Sequence, residues 1–198
     1  MFLSHTFKLC FVHIPRSGGS WLTYKIRDLD KLNKGRGHEV LLIKDVHPKY
    51  VQVGRHTTLE RIHEVSDANL DSYFKFCVSR HPYTRFQSAW DYLSNTMETA
   101  RRQNLKDWYD MMSWIEDGAR KQHTNLQTDW YDERFDSIFK FENIEKVNLK
   151  KFAPLMVNFS KRSNPIVKTT NHNELKDDLK ERIYKHYIKD FQTFDYQP

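Results

Sequence analysis

Cysteine is almost missing: Cys10 and Cys77 are the only two in 198 residues, too few for a disulfide framework, and no Cys/His pairs stand at zinc-ligand spacing. A reducing compartment is the simpler expectation. Glycine and proline are also scarce, six of each, which excludes collagen-like, linker-rich and low-complexity chains and makes the position of each glycine informative. No long hydrophobic run occurs. In the opening fifteen residues the longest apolar stretch is Leu9–Val12, and His5, Lys8 and His13 interrupt the segment. Neither a signal-peptide core nor a spanning helix is therefore expected, and the expected location is the cytoplasm. Asn158-Phe159-Ser160 has the form of a glycosylation acceptor, a chance match without an entry signal. Repeats and homopolymer tracts are lacking, and Gly35-Arg36-Gly37 reads as a loop, so one domain over residues 1–198 is expected.

What the chain does have is a core. Hydrophobic residues make up 38% and aromatics 14%, which excludes a disordered chain in spite of 29% charged residues. The net charge is +6, with ten histidines able to add to it, so an anionic partner is favoured without its class being set. Four short segments rich in β-branched and aromatic residues predict strands: Phe7–Ile14, Tyr50–Val53, Tyr73–Ser79 and Ser137–Phe141. Helical spacing covers Trp21–Leu29, Thr58–Val65, Pro82–Leu93, Asn104–Glu116 and Glu174–Tyr187. Strands alternating with helices predict a three-layer α/β fold, a mostly parallel sheet of about four or five strands flanked by helices. Such sheets bind ligands at the carboxyl ends of their strands.

At the first strand end, the run to Ile14 passes into Pro15-Arg16-Ser17-Gly18-Gly19-Ser20-Trp21. Paired glycines where a strand becomes a helix allow positive φ and close backbone approach, and successive N–H groups beside a helix N-terminus make an anion cradle. Arg16, Ser17 and Ser20 add donors. A plain Gly-Gly turn with a serine cap accounts for the same residues. Two rival motifs fit less well. A triphosphatase loop requires a Lys after Gly19, where Ser20 stands, so ATP hydrolysis is disfavoured. Cys10-x5-Arg16 has the spacing of cysteine phosphatases, but Phe11-Val12-His13-Ile14-Pro15 continues a buried strand instead of a phosphate-wrapping loop of small residues.

The strand Tyr73–Ser79 ends at Arg80, Pro82 marks a helix start, and Ser88 follows about two turns into that helix. A guanidinium and a hydroxyl converge there on a second anion, or the pair is a surface salt bridge and a small packing residue.

These two segments resemble the 5′-phosphosulfate loop and the Arg-x7-Ser 3′-phosphate motif of sulfotransferases that use 3′-phosphoadenosine 5′-phosphosulfate (PAPS), and they stand in that family's order. Looser likenesses span nearly the whole chain. Arg55-His56-Thr57-Thr58 resembles the segment with the acceptor-side His. Gln122 to Asp129, followed by Phe139-Lys140-Phe141-Glu142-Asn143, resembles the Pro-Gln and Arg-x-Glu-Asn blocks, and Tyr187–Phe191 resembles the closing helix. Arg16 stands where Lys is more usual, which keeps the charge and changes its geometry. The resemblance implies a nucleotide-kinase-like fold, similar to P-loop triphosphatases, and a PAPS-binding set of Arg16, Ser17, Gly18, Gly19, Ser20, Trp21, Arg80 and Ser88. It also implies a hydroxyl acceptor of the carbohydrate-directed branch, with Gln127, Asp129 and Lys140 on the acceptor side and no metal.

Sulfuryl transfer resembles phosphoryl transfer, in which positioning and electrostatics carry most of the catalysis. A cation is needed at the leaving oxygen, the role assigned to Arg16. A base is needed for the attacking hydroxyl, and imidazole suits neutral pH. His56, between a predicted strand and a predicted helix, lies on the ligand edge; His13 is the rival, with a satisfied buried histidine as its plain explanation. Trp21 is placed to stack on adenine or to anchor its helix. Arg85 shares a helical face with Ser88, Lys168-Thr169-Thr170-Asn171 is placed as a flap, and residues 24–49 are expected to wall the acceptor.

A single-stranded nucleic-acid-binding module is the competing class, on positive charge, 13 Phe, 10 Tyr and 5 Trp, and basic pairs Arg101-Arg102 and Lys150-Lys151. Stacking platforms expose aromatics on a sheet face, whereas most aromatics here recur at core spacing, so no nucleic-acid partner is expected.

Overall fold

The structure, a computed structural model, describes residues 2–4, 8–23, 38–39, 56–65, 69–96, 105–118, 122–146 and 175–198. The predicted strand Tyr50–Val53, the flap at Lys168–Asn171, the basic pairs 101–102 and 150–151, and nearly all of the 24–49 acceptor wall lie outside these residues.

Among the described residues, five strands form one sheet in the order β3-β1-β2-β4-β5: β1 (Phe2–Ser4), β2 (Leu9–Val12), β3 (His38–Glu39), β4 (Phe74–Ser79) and β5 (Ser137–Lys140). The predicted strands at 7–14, 73–79 and 137–141 are present in shortened form and make a parallel core. Leu9–Val12 pairs with Phe74–Cys77, and Phe76–Ser79 with Ser137–Lys140. β2 is buried along its whole length, the mark of a central parallel strand whose two faces are both covered. Phe11 and Phe76 stack at 5.2 Å and Phe76 meets Phe139 at 5.6 Å. The short β1 and β3, which strand propensity did not single out, extend the sheet on one side by antiparallel pairing, β1 against β2 and β3 against β1 at the edge. The result is the expected α/β class with a mostly parallel sheet. No described helix is long and apolar enough to cross a membrane.

The chain divides into two compact units, 1–79 with 129–164, and 80–128 with 165–198. The first holds the sheet, the helical residues 19–23 and α1 (Leu59–Val65). At the amino end of its parallel core, Lys75 and Asp136 are joined by two hydrogen bonds. The Lys75 N–H donates to Asp136 Oδ2 at 2.7 Å and the Asp136 N–H to the Lys75 carbonyl at 2.8 Å.

The second unit is helical: α2 (Pro82–Thr96), α3 (Trp108–Glu116), α4 (Asp177–His186) and α5 (Ile188–Thr193). Pro82 opens α2 because its fixed φ and missing N–H suit a first helical position. The Asp107 carboxylate caps α3 by accepting from the Asp110 N–H at 2.9 Å, satisfying a donor the helix cannot. Met111, Met112 and Ile115 turn inward from α3, and Leu179 and Ile183 from α4. The predicted helix 174–187 starts at Asp177 and breaks at Tyr187, whose hydroxyl donates to the Thr124 carbonyl at 2.7 Å. α5 carries Asp190, fully buried. Burial pushes its carboxyl upward, opposed by Arg85 and by backbone N–H donors from Gln127 and Thr128.

Candidate functional site

Parallel pairing sets β2, β4 and β5 to end on one sheet edge, the arrangement in which α/β proteins bind ligands. The chain leaves β2 through Ile14 into a turn at 15–18 and turns helical at 19. The Ser17 N–H faces the Ile14 carbonyl at 3.4 Å and the Leu22 N–H reaches Gly18 at 3.3 Å. Pro15 and Arg16 are the central residues of the first turn, and Arg16 stands at φ 65°, where a turn of this kind ordinarily places glycine. A bulky cationic residue held left-handed stores a modest strain of a sort that gathers at functional sites.

Both glycines are required sterically. Gly18 has φ +81°, a conformation that disfavours side chains, and a methyl there would run into the Phe141 ring. A methyl on Gly19 would overlap the His13 imidazole. Phe141 follows β5 directly, so the strand that ends in Lys140 also backs the turn. Ser17 is buried, Arg16 and Trp21 are half-buried and Ser20 is exposed.

His13 and His56 meet beside this turn. His13 is buried, and its ring stacks on Phe11 at 5.9 Å and lies edge-on to His56 with centroids 4.5 Å apart. His56 Nδ1 lies 2.8 Å from the His13 carbonyl oxygen. A carbonyl only accepts, so Nδ1 carries the proton, and in the neutral ring Nε2 is left with the lone pair. Trp130 Nε1–H donates to the His56 carbonyl at 2.7 Å, fixing the backbone that carries the ring. Sequence reasoning weighed His13 and His56 as rivals; the fold makes them partners, one supplying the carbonyl that orients the other. The Trp130 anchor was not anticipated, since nothing in the local pattern around residue 130 points back 74 positions.

The Arg80–Ser88 segment belongs to the helical unit. Arg80 is 6% exposed. Its N–H donates to Gln127 Oε1 and its carbonyl accepts from Gln127 Nε2, both at 2.9 Å. Its Nε–H donates to Thr84 Oγ1 at 3.2 Å, and that hydroxyl donates to the His81 carbonyl at 3.1 Å. Ser88 lies half-buried on α2. Gln127, expected on the acceptor side, is fully buried and spends both ends of its amide on the Arg80 backbone. Arg85 is buried and faces Asp190 and Tyr187, so its charge serves the core of this unit. His81, which carried no functional argument, is structural: its Nδ1 accepts from the Tyr83 N–H and its Nε2 donates to the Gln197 carbonyl. Asp129 is exposed, and Lys140 is half-buried opposite Ser79 at the carboxyl edge of the sheet.

Cys10 lies in mid-strand, paired with Leu3 and Lys75. Burial pushes its thiol up to about 12, so at neutral pH the nucleophilic thiolate is essentially unpopulated. Cys10→Ala is expected to cost about 1 kcal/mol of stability and to leave catalysis intact. A thiol-labelling assay on the native chain is expected to find Cys10 unreactive at pH 7; rapid alkylation would reopen the phosphatase reading. Phe11 and Phe76 are fully buried and offer no stacking face to a nucleic-acid base.

Fold and site together define an α/β protein with a tight glycine turn at the carboxyl end of a parallel strand, a cationic residue in that turn and an oriented imidazole beside it. The family model described as "Sulfotransferase family" matches residues 1–197, and the chain belongs to that family. No curated protein and no solved structure matches the chain.

Proposed function

We propose that this sulfotransferase takes its sulfuryl group from PAPS and passes it to a hydroxyl, most simply a sugar hydroxyl, with His56 as general base and Arg16 as the cation at the leaving phosphate. The reading rests above all on the bond from His56 Nδ1–H to the His13 carbonyl, which leaves Nε2 as the basic atom beside the glycine turn.

The residues present suit the donor. A glycine turn too tight for any side chain, with Arg16 left-handed within it, matches a cradle of backbone N–H groups for a 5′-phosphosulfate. Arg80, with Ser88 further along α2, suits a 3′-phosphate, and Trp21 suits the adenine ring. When bound, PAPS supplies an activated sulfuryl group on a phosphate leaving group. His56 Nε2 takes the proton of the attacking hydroxyl while Nδ1–H stays on the His13 carbonyl, which steadies the imidazolium as it forms. Arg16 and the amides of residues 18–21 stabilise the negative charge that gathers on the leaving oxygen. No proton transfer is needed at Arg16, which stays charged throughout. Lys140 and Asp129 are the acceptor-side candidates, Lys140 by its place on the sheet edge. The sugar class follows the resemblance to carbohydrate-directed sulfotransferases, and the two buried free thiols accord with a cytoplasmic setting.

A melting series with adenosine 3′,5′-bisphosphate, adenosine 5′-phosphate and ATP tests the donor. A ligand at 100 times its dissociation constant stabilises by about 2.7 kcal/mol, and the bisphosphate is expected to raise melting well above the other two. Arg80→Ala is expected to erase that difference; an equal response to all three nucleotides in the wild type would defeat the reading.

A further inference from the structure

Resting on the PAPS reading, we infer that Gln127 and Thr84 are the positioning residues that make Arg80 selective for a 3′-phosphate. The backbone of Arg80 is gripped on both sides by one side chain, its N–H and its carbonyl each 2.9 Å from an end of the Gln127 amide. A primary amide is the one uncharged side-chain group that donates and accepts in this paired way, so it reproduces here what a neighbouring strand supplies within a sheet.

Gln127 is itself fastened from behind. Its N–H and that of Thr128 donate to Asp190 Oδ2 and Oδ1 at 2.9 and 3.0 Å. Asp190 and Gln127 are both fully buried, where a lost partner leaves a costly unsatisfied group. The grip on Arg80 is therefore rigid. The third anchor acts on the side chain: Thr84, one turn along α2, accepts from Nε–H at 3.2 Å, which fixes the plane of the guanidinium. Backbone and plane set together determine where a planar fork meets an anion, and charge-assisted bonds of that type lose strength quickly when misaligned. Neither Gln127 nor Thr84 needs to touch the nucleotide for this to hold.

The test compares wild type, Gln127→Met, Gln127→Glu and Thr84→Val by calorimetric titration with adenosine 3′,5′-bisphosphate and adenosine 5′-phosphate, alongside ligand-free melting. Met keeps the shape without hydrogen bonds; Glu keeps an acceptor and loses the donor that the Arg80 carbonyl uses. The wild type is expected to prefer the bisphosphate. In each variant that preference is expected to fall about tenfold or more, the scale of one charge-assisted bond, with 5′-phosphate affinity unchanged. A purely structural role would lower both affinities together. Should the Gln127 variants fail to fold, Thr84→Val decides, because it exchanges one hydroxyl for a methyl of the same shape on a half-buried side chain. Folded variants that keep the wild-type preference overturn the inference. A wild type without any preference overturns the PAPS reading instead.

Discussion

Replacing His56 by asparagine is expected to lower kcat by a factor of about 10² to 10⁴, the range that general-base catalysis supplies, while leaving adenosine 3′,5′-bisphosphate affinity near that of the wild type. Asparagine is chosen because its amide N–H can keep the bond to the His13 carbonyl that Nδ1 makes at 2.8 Å, yet it has no basic atom where Nε2 stood. The backbone anchor from Trp130 to the His56 carbonyl is untouched by the change. A loss in His56→Asn therefore reports chemistry and not displacement, and His56→Ala is expected to fall at least as far. The measurement is release of adenosine 3′,5′-bisphosphate with any hydroxyl acceptor that the wild type turns over, followed as kcat and KM separately. Turnover that survives in His56→Asn would move the base role to another group.

The second large effect falls on the glycine turn. Gly19→Ala is expected to destabilise the chain by about 1–3 kcal/mol, the usual cost of overpacking, which for a chain of this length lowers Tm by about 2–12 °C. The cause is specific. The added methyl would overlap the His13 imidazole, and that ring has little room to retreat, because it is buried between its stacking contact with Phe11 and its edge contact with His56. Either the turn opens, or the His13 ring is forced off Phe11 and His56 and its backbone, whose carbonyl holds His56 Nδ1, shifts with it. Both routes cost activity beyond the loss of stability. The companion change His13→Ala makes space, so the double variant is expected to be more stable than the sum of the two single losses allows, by about 0.5 kcal/mol or more. Strictly additive melting losses would show that the methyl and the ring do not compete.

The parallel core was legible because its physics is local. Runs such as Leu-Cys-Phe-Val and Phe-Lys-Phe-Cys-Val have nowhere to go but a covered sheet, and Pro82 marks its helix start by geometry alone. The short strands at 2–4 and 38–39 were not legible: two or three residues carry too little pattern, and only pairing partners make them strands. Arg85 shows the same limit, since helical spacing put it beside Ser88 while the structure turns it toward Asp190, 105 positions along the chain.

By itself the sequence determined that a glycine turn follows the first parallel strand, and that an Arg and a Ser, with seven residues between them, stand after the next. Glycine pairs, fixed φ at proline and hydrophobic period act over a few residues, so they survive without the fold. Tertiary structure decided which nitrogen of His56 is basic, that His13 orients His56, and that Gln127 holds the Arg80 backbone and does not reach toward an acceptor. Those assignments depend on hydrogen bonds between residues 43 and 47 positions apart, and such pairings exist only once burial has removed water as the alternative partner.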